Sequence, residues 1–104
     1  INTSPLKRSI QSVESFIQLG IPHQSLPDLC EMDFGIYDGK VRADILNGPY
    51  EKICLAWEDG KIDQKLEGGE SPIEVQLRMQ AFIDIIRNKQ DENLILVSMH
   101  GRSM

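Results

Sequence analysis

The sequence predicts an α/β fold, in which helices are layered against a sheet. Strong helix-start signals occur at Ser4-Pro5 and at Ser71-Pro72, and the apolar run at residues 94–97 is typical of a strand. Helical and strand-like segments alternate along the chain, an order that favours layered α/β packing. The 104 residues are enough for one domain, and a hydrophobic content of 40% is ordinary for a globular protein.

The first helix is predicted to begin at Ser4 and to end near Gly20. Ser4 is a favourable N-cap residue, and Pro5 suits the first helical position because the N–H that it lacks would be unpaired there. Gly20 suits the residue just after a helix. Apolar residues recur between them at helical spacing, at Leu6, Ile10, Val13 and Ile17.

The middle of the chain is predicted to hold short elements. Residues 25–29 have the character of a short strand that Pro27 interrupts. Residues 41–46 and 50–57 are predicted to be short helices on either side of an Asn-Gly-Pro break, and residues 60–69 are predicted to form a polar loop.

A longer helix is predicted from Ser71 to about Asn88. Ser71 as N-cap and Glu74 three residues later have the pattern of a capping box, with Pro72 at the first helical position. This pattern gives Ser71 a structural role. The apolar face expected to be buried comprises Ile73, Leu77, Ala81 and Ile85, with Phe82 and Ile86 beside it.

The apolar run at residues 94–97 is expected to be a strand buried on both faces, and it leads to His100 and Gly101. In open α/β sheets, ligands bind beyond the carboxyl ends of the strands. The imidazole and the Gly101 amide can both donate hydrogen bonds, so this position indicates an anion site. The alternative is a core histidine that bonds to a backbone carbonyl. No His or Cys lies at metal-ligand spacing, so we predict no metal site.

Arg8 and Glu31 are further candidates for chemistry on an anion. The Arg8 guanidinium can bind a phosphate through two parallel hydrogen bonds, although an ordinary solvated helix arginine is the alternative. The apolar neighbours of Glu31 favour the protonated form of its carboxyl, which would make it a proton donor. The alternative is a carboxylate that faces water, and Asp33 competes with Glu31 for the same role.

Composition narrows the classes of partner. The formal net charge is −5 and no basic block is present, which disfavours nucleic acid and anionic membranes. No apolar run approaches the ~20 residues of a membrane span. Cys30 and Cys54 lie far apart and indicate neither a disulfide framework nor a zinc site, so we expect a cytoplasmic protein. The oligomeric state is left open, with a homodimer among the options.

The order of the motifs is more specific than any one of them. Along the chain occur Ser-Pro-Leu-x-Arg at residues 4–8, Leu-x-Glu-x-x-Phe-Gly at 29–35 with a further glycine at 39, Gly-Glu-Ser at 69–71 and Ser-x-His-Gly at 98–101. This order resembles the histidine phosphatase superfamily, in its phosphoglycerate mutase-like branch. The resemblance runs from Thr3 to Ser103. It implies a three-layer α/β/α sandwich with a mostly parallel sheet.

The resemblance also implies roles for individual residues. Arg8 matches the arginine that clamps the phosphate, Glu31 matches the proton donor to the leaving group, and His100 matches the second histidine that binds the transferring phosphoryl group. Gly101 is expected to bind substrate beside it. The substrate implied is a small-molecule phosphomonoester, and no cofactor is implied.

The nucleophile of this family is a first histidine in an Arg-His-Gly motif, which these 104 residues do not contain. The chain begins on Ile1 rather than methionine and ends four residues after His100. We therefore expect residues 1–104 to be the central portion of a single histidine phosphatase-like domain, with the nucleophile upstream. Without it, this portion alone is expected to be inactive.

The reaction expected of the whole protein is phosphomonoester hydrolysis through a phosphohistidine intermediate. Mutases of the family carry a longer insertion between the Glu and Gly-Glu-Ser motifs, whereas residues 40–67 provide only a short cap segment here. The alternatives are a phosphoglycerate mutase and a catalytically inactive member that binds phosphorylated ligands or a protein. Arg102 departs from the family, which usually has Gly or Asn after His-Gly, and this leaves the substrate preference open.

Overall fold

The computed structural model describes residues 1–45 and 47–104. The chain divides into two compact units, which are described separately below. The first comprises Ile1–Glu31 and Arg78–Met104, and the second comprises Met32–Leu77. No helix of the described residues is long and apolar enough to cross a membrane.

The described residues form five α-helices and three short β-strands. The helices are α1 (Lys7–Ser12), α2 (Glu14–Gln18), α3 (Arg42–Ile45), α4 (Pro49–Glu58) and α5 (Pro72–Arg87). The strands are β1 (Asn2–Thr3), β2 (Gln24–Ser25) and β3 (Val97–Ser98). Two 3-10 turns occupy Pro27–Leu29 and Gly35–Tyr37.

The sheet of the first unit is parallel, with β1 in the centre between β2 and β3. Thr3 is in register with Ser25 on one side and with Ser98 on the other. Because all three strands point the same way, the residues that follow them meet at one edge of the sheet. The parallel α/β architecture expected from the sequence is confirmed.

The first predicted helix is broken in two. The helical backbone begins after Leu6, two residues later than the capping pattern at Ser4 predicts, and Val13 separates α1 from α2. The Ser12 hydroxyl donates to the Arg8 carbonyl (2.8 Å), and such back-bonding bends helices. Gly20 lies just beyond α2 with φ +81°, which confirms the predicted end.

The prediction of a strand buried on both faces at residues 94–97 is wrong. Only Val97 and Ser98 pair with β1, and Leu94 is 93% exposed. β3 is the edge strand of the described sheet, so it has one hydrogen-bonded neighbour and leaves its outer side open. An apolar run does not by itself reveal how many neighbours a strand has.

The buried face of α5 is also not the predicted one. The buried residues are Val75, Met79 and Phe82, whereas Leu77 is 67% exposed and Ile73, Ala81 and Ile85 are exposed with it. The predicted neighbour Phe82 is therefore correct and the main stripe is wrong. Apolar residues occupy more than one side of this helix, so their spacing is compatible with two faces.

The start of α5 forms as the sequence predicts. The Ser71 N–H donates to a Glu74 carboxylate oxygen (2.8 Å), and the Glu74 N–H donates to the Ser71 hydroxyl (3.3 Å). This is a reciprocal capping box. The Ser71 N–H and the nearby Lys65 ammonium hold the pKa of Glu74 below its usual value.

Within the second unit, α3 and α4 confirm the two short helices predicted there, although Leu46 lies outside the described residues. Residues 60–69 contain no helix or strand, as predicted. The Trp57 indole N–H donates to the Gln64 carbonyl (2.7 Å), which ties this loop to the end of α4. The role of residues 40–67 as a cap stays a prediction.

Two loops of the second unit approach closely at Gly35. The Glu70 N–H donates to the Asp33 carbonyl (2.8 Å), and the Asp33 N–H donates to a Glu70 carboxylate oxygen (3.0 Å). Gly35 has φ +59°, and a Cβ there would collide with the Glu67 carbonyl. Only glycine satisfies both the left-handed backbone and the close contact.

Replacing Gly35 with alanine is expected to lower the free energy of unfolding by about 3 kcal/mol, since left-handed strain and a steric clash add together. The matched control is Gly39→Ala. Gly39 has φ +73° but nothing within 4 Å of an added Cβ, so strain alone should cost about 1 kcal/mol. Urea denaturation of the two purified variants measures the decrease in the free energy of unfolding of each. Equal decreases in Gly35→Ala and Gly39→Ala would contradict a role for the close contact.

Candidate active site

The carboxyl edge of the sheet brings Ser4 and His100 together. Ser4 follows β1 and His100 follows β3, and their side chains are 2.7 Å apart between Oγ and Nε2. Both residues are buried, with His100 at 7% exposure. The capping pattern assigns Ser4 to the helix start, and its hydroxyl does accept the Leu6 N–H (3.3 Å). Its bond to His100 was missed, because that bond depends on strand pairing.

Arg8 lies on the other side of the same imidazole. The Arg8 Nε–H donates to His100 Nδ1 (3.3 Å), although the two residues are 92 positions apart in the sequence. A guanidinium nitrogen can only donate, so Nδ1 accepts and neutral His100 carries its proton on Nε2, facing Ser4. The Arg8 side chain is otherwise exposed, and within the described residues its two terminal NH₂ groups have no hydrogen-bond partner.

The surroundings of His100 favour the neutral imidazole. Burial lowers the pKa of His100, the Arg8 cation lowers it further, and the Glu31 carboxylate opposes them by raising it. The net direction is downward from the usual 6.5. Near neutral pH the site therefore presents a neutral histidine beside an arginine cation, a combination suited to receiving an anion.

This lowered pKa predicts a loss of stability in mild acid. Below pH 6.5 the unfolded chain binds a proton at His100 before the folded protein does, so the free energy of unfolding falls until the folded pKa is passed. Denaturation at pH 7 and at lower pH measures the fall. In His100→Gln the fall should be smaller than in the wild-type protein. An equal fall in the variant and in the wild type would contradict this assignment.

Serine side chains attach α1 to β3. The Ser9 hydroxyl donates to the Ser98 carbonyl (2.6 Å), and the Ser98 hydroxyl donates to the Ser9 carbonyl (2.9 Å). Ser9 is adjacent to Arg8, and Ser98 lies two residues before His100. These bonds therefore set the helix that carries the arginine against the strand that leads to the histidine.

Glu31 is joined to the same loop as His100. Both carboxylate oxygens lie within hydrogen-bond distance of the Arg102 N–H, at 3.2 and 3.3 Å. Glu31 is half-buried and belongs to the same unit as Arg8 and His100. The competing Asp33 belongs to the other unit, and there its side chain accepts the Gly35 N–H (2.7 Å).

Gly101 opens a turn rather than a regular helix. Residues 101–103 form this turn, which is closed by the Met104 N–H donating to the His100 carbonyl (3.2 Å). Gly101 is exposed and an added Cβ would meet nothing within 4 Å. Its predicted role in substrate binding stays a prediction.

Arg78 is a residue of this region that the sequence analysis missed. Its guanidinium donates to the carbonyls of Asp28 (2.6 Å), Cys30 (2.9 Å) and Glu31 (3.2 Å). The signal that was available is its position on α5, where it shares a helical face with the buried Met79 and Phe82. A charged residue within a buried stripe requires polar partners nearby.

His23 follows Pro22 and lies at the surface, where it has a hydrogen-bond partner. Its Nε2 is 2.9 Å from the Thr3 hydroxyl, at the strand preceding Ser4. In the part of the chain that the structure describes, no group of three or more His, Cys, Asp or Glu residues could hold a metal ion.

The model of one family, the histidine phosphatase superfamily (branch 1), matches residues 1–104. The chain belongs to this superfamily. The resemblance inferred from the order of the motifs is therefore confirmed. A sequence search of curated proteins finds no match to this chain.

Two solved structures are similar to this superfamily member in fold. A mycobacterial glucosyl-3-phosphoglycerate phosphatase in complex with inorganic phosphate has a TM-score of 0.80 at 20% identity, over 99% of this chain and 53% of that one. The alpha-ribazole phosphatase of Shigella flexneri has a TM-score of 0.74 at 22% identity, over 97% of this chain and 50% of that one. The chain thus spans about half the length of each, and their fold confirms the predicted α/β class.

Proposed function

We propose that the whole protein is a phosphomonoester hydrolase that acts through a phosphohistidine, with the nucleophilic histidine supplied by a segment that precedes Ile1. The observation that carries this proposal is the contact of Arg8 with His100 at the carboxyl edge of the sheet. A cation and an imidazole are placed side by side there, with the guanidinium NH₂ groups exposed. Membership in the histidine phosphatase superfamily supports the reaction class.

Arg8 binds the phosphoryl group in the proposed mechanism. The planar guanidinium matches two oxygens of a phosphate, and its charge offsets the negative charge that spreads over the equatorial oxygens during transfer. In the free site its Nε–H is directed at His100, and its NH₂ groups are exposed to receive the substrate. The arginine therefore orients the histidine before substrate binds and binds the phosphoryl group through its NH₂ groups.

His100 supplies further hydrogen bonds to the transferring group. In the free site it is neutral, but a phosphoryl dianion favours its protonated form because opposite charges attract. Protonation occurs at Nδ1, the nitrogen that accepts from Arg8 in the free site. Substrate binding is thereby coupled to uptake of one proton and to a rearrangement of the Arg8 contact.

Glu31 moves the proton in both half-reactions. In the first, a bond forms between the nucleophilic histidine and phosphorus, the ester bond to phosphorus breaks, and protonated Glu31 gives its proton to the leaving oxygen. In the second, water forms a bond to phosphorus as the bond between phosphorus and the histidine nitrogen breaks, and the Glu31 carboxylate accepts a proton from that water. Inorganic phosphate leaves, and Glu31 is protonated again.

Hydrolysis is favoured over phosphoglycerate mutase activity by the short cap segment at residues 40–67. The names of both structural neighbours are those of phosphatases, which supports the same choice. A small-molecule phosphomonoester is the proposed substrate. A cytoplasmic location is proposed for the protein because Cys30 and Cys54 are free thiols without a disulfide framework.

The proposal is tested by phosphate release from the purified full-length protein across sugar phosphates, phosphoglycerates and nucleotides. We expect release from at least one class, with an acid-labile, base-stable phosphoenzyme trapped by rapid quenching. Interconversion of phosphoglycerates without release from any monoester would overturn it in favour of a mutase. Binding of phosphorylated ligands without turnover would favour an inactive member.

A truncated protein of residues 1–104 is expected to show no turnover, since the proposed nucleophile is not among its two histidines, His23 and His100. Phosphate release by the full-length and truncated proteins, compared at equal concentration, measures this. Robust activity from residues 1–104 would contradict an upstream nucleophile.

A further inference from the structure

We propose that Arg78 is a positioning residue that holds Glu31 in place for proton transfer, an inference that rests on the proposed function. Arg78 donates three hydrogen bonds to the backbone that carries Glu31, and one of them goes to the Glu31 carbonyl itself. Its side chain acts on the proton donor through this backbone rather than on the substrate.

The backbone around Glu31 needs such a partner because it lies outside the sheet. Pairing of β2 ends at Ser25, and the 3-10 turn after it ends at Leu29. Cys30 is then extended, with φ −60° and ψ 154°. The carbonyls of Asp28, Cys30 and Glu31 belong to half-buried residues, and carbonyls in that situation require donors. The Arg78 guanidinium supplies one to each.

Arg78 is itself held by a long and packed helix. It lies in the middle of α5, the longest helix described, next to the buried Met79 and one turn before the buried Phe82. The packed face of the helix limits the movement of the guanidinium. Because the guanidinium is held in place, the carbonyls that it contacts are held in place as well.

Glu31 is also held through its side chain. Its carbonyl is bound to Arg78, while its carboxylate accepts the Arg102 N–H from the loop that follows His100. The residue is therefore held at both ends, between α5 and the turn that carries the second histidine. Proton transfer to a leaving oxygen depends on placement within a fraction of an ångström, and a shift of about 1 Å costs on the order of 10²-fold in rate.

The requirement for arginine is geometric. Two terminal NH₂ groups in one plane reach three carbonyls, whereas a lysine ammonium is a point donor on a flexible chain. Arg78→Lys should keep the charge and the fold but loosen the Glu31 backbone. Arg78→Met should remove all three bonds while preserving much of the packing of the side chain.

The experiment compares Arg78→Met, Arg78→Lys and Glu31→Gln in the full-length protein on two substrates. Para-nitrophenyl phosphate has a good leaving group that needs little protonation, and glycerol phosphate has a poor one. We expect Arg78→Met to lower the rate of phosphoenzyme formation, measured by rapid quenching, by about 10²-fold on glycerol phosphate and by less than about threefold on the aryl substrate. Arg78→Lys should lower the same rate by about tenfold on glycerol phosphate. Arg87→Met, at the exposed end of α5, is the control and should resemble wild type on both.

The double variant Glu31→Gln/Arg78→Met distinguishes positioning from a general structural role. If Arg78 acts only through Glu31, the double variant should be no slower on glycerol phosphate than Glu31→Gln alone. Equal losses by Arg78→Met on both substrates, or additive losses in the double variant, would overturn the positioning role. If Arg78→Met melts far below wild type, Arg78→Lys carries the same test.

Failure of the proposed function is recognised separately. If Glu31→Gln itself shows no dependence on the leaving group, Glu31 is not the proton donor, and both proposals are overturned. If Glu31→Gln shows that dependence and neither Arg78 variant does, only the role of Arg78 is overturned.

Discussion

Replacing Arg8 with methionine is expected to lower kcat/KM for phosphomonoester hydrolysis by about 10²–10³-fold, the usual cost of removing one group that stabilises transition-state charge. Arg8 provides both the exposed guanidinium and the Nε–H that orients His100. Arg8→Lys should recover little of the loss, because an ammonium cannot bind two phosphate oxygens in one plane. Steady-state kinetics of the full-length protein measure both variants.

The same Arg8 variant has a second expected effect, on the titration of His100. The Arg8 cation lowers the pKa of His100, so its removal should raise that pKa toward the ordinary value, while burial continues to oppose protonation. NMR titration of the His100 ring protons measures the shift. Lys7→Met is the matched control, because Lys7 is the exposed neighbour on the same helix. Lost activity in Arg8→Met with an unmoved His100 pKa would contradict the contact.

Replacing Glu31 with glutamine is expected to slow phosphoenzyme formation from alkyl phosphates by about 10²–10³-fold, and that from para-nitrophenyl phosphate only a few-fold. Glutamine keeps the shape and can still accept the Arg102 N–H, but it cannot give up a proton to the leaving oxygen. Rapid-quench measurement of phosphoenzyme formation on each substrate isolates this step. Equal losses on both substrates would count against Glu31 as the acid.

Asp33→Asn is the control for that experiment, since Asp33 is the competing carboxylate in the same motif. Asparagine can still accept the Gly35 N–H through its side-chain oxygen, so the loop should be retained. We expect Asp33→Asn to show no dependence on the leaving group. Dependence in Asp33→Asn and none in Glu31→Gln would reverse the two assignments.

The parts of the fold that the sequence predicts well are those set by neighbouring residues. Helix α5 begins at Pro72 because Ser71 and Glu74 satisfy each other's backbone N–H groups, and the chain leaves α2 at Gly20 because glycine accepts φ +81°. Such patterns involve only a few consecutive residues, so the sequence contains all of the information needed to recognise them.

The predictions that are wrong concern which surfaces meet. Leu77 lies on an apolar stripe of α5 and is exposed, while Met79 on a neighbouring stripe is buried. Leu94 belongs to the most apolar run of the chain and is almost fully exposed. The spacing of apolar residues predicts that a helix or strand has an apolar side. The position of the neighbouring helices and strands decides which side is buried.

The candidate site was predictable only in part. The order of four short motifs identified the superfamily. It also named Arg8, Glu31 and His100, whose roles stay predictions and which the structure places in one unit. The bonds of Ser4 and Arg78 could not be predicted, since they join residues 96 and about 50 positions apart, through parallel strand pairing and through a side chain of α5. The sequence alone thus determined the family, the start of α5 and the glycine that follows α2. Only the tertiary structure decided the hydrogen-bond partners of each group, because long-range contacts depend on how all the elements pack and not on any local pattern.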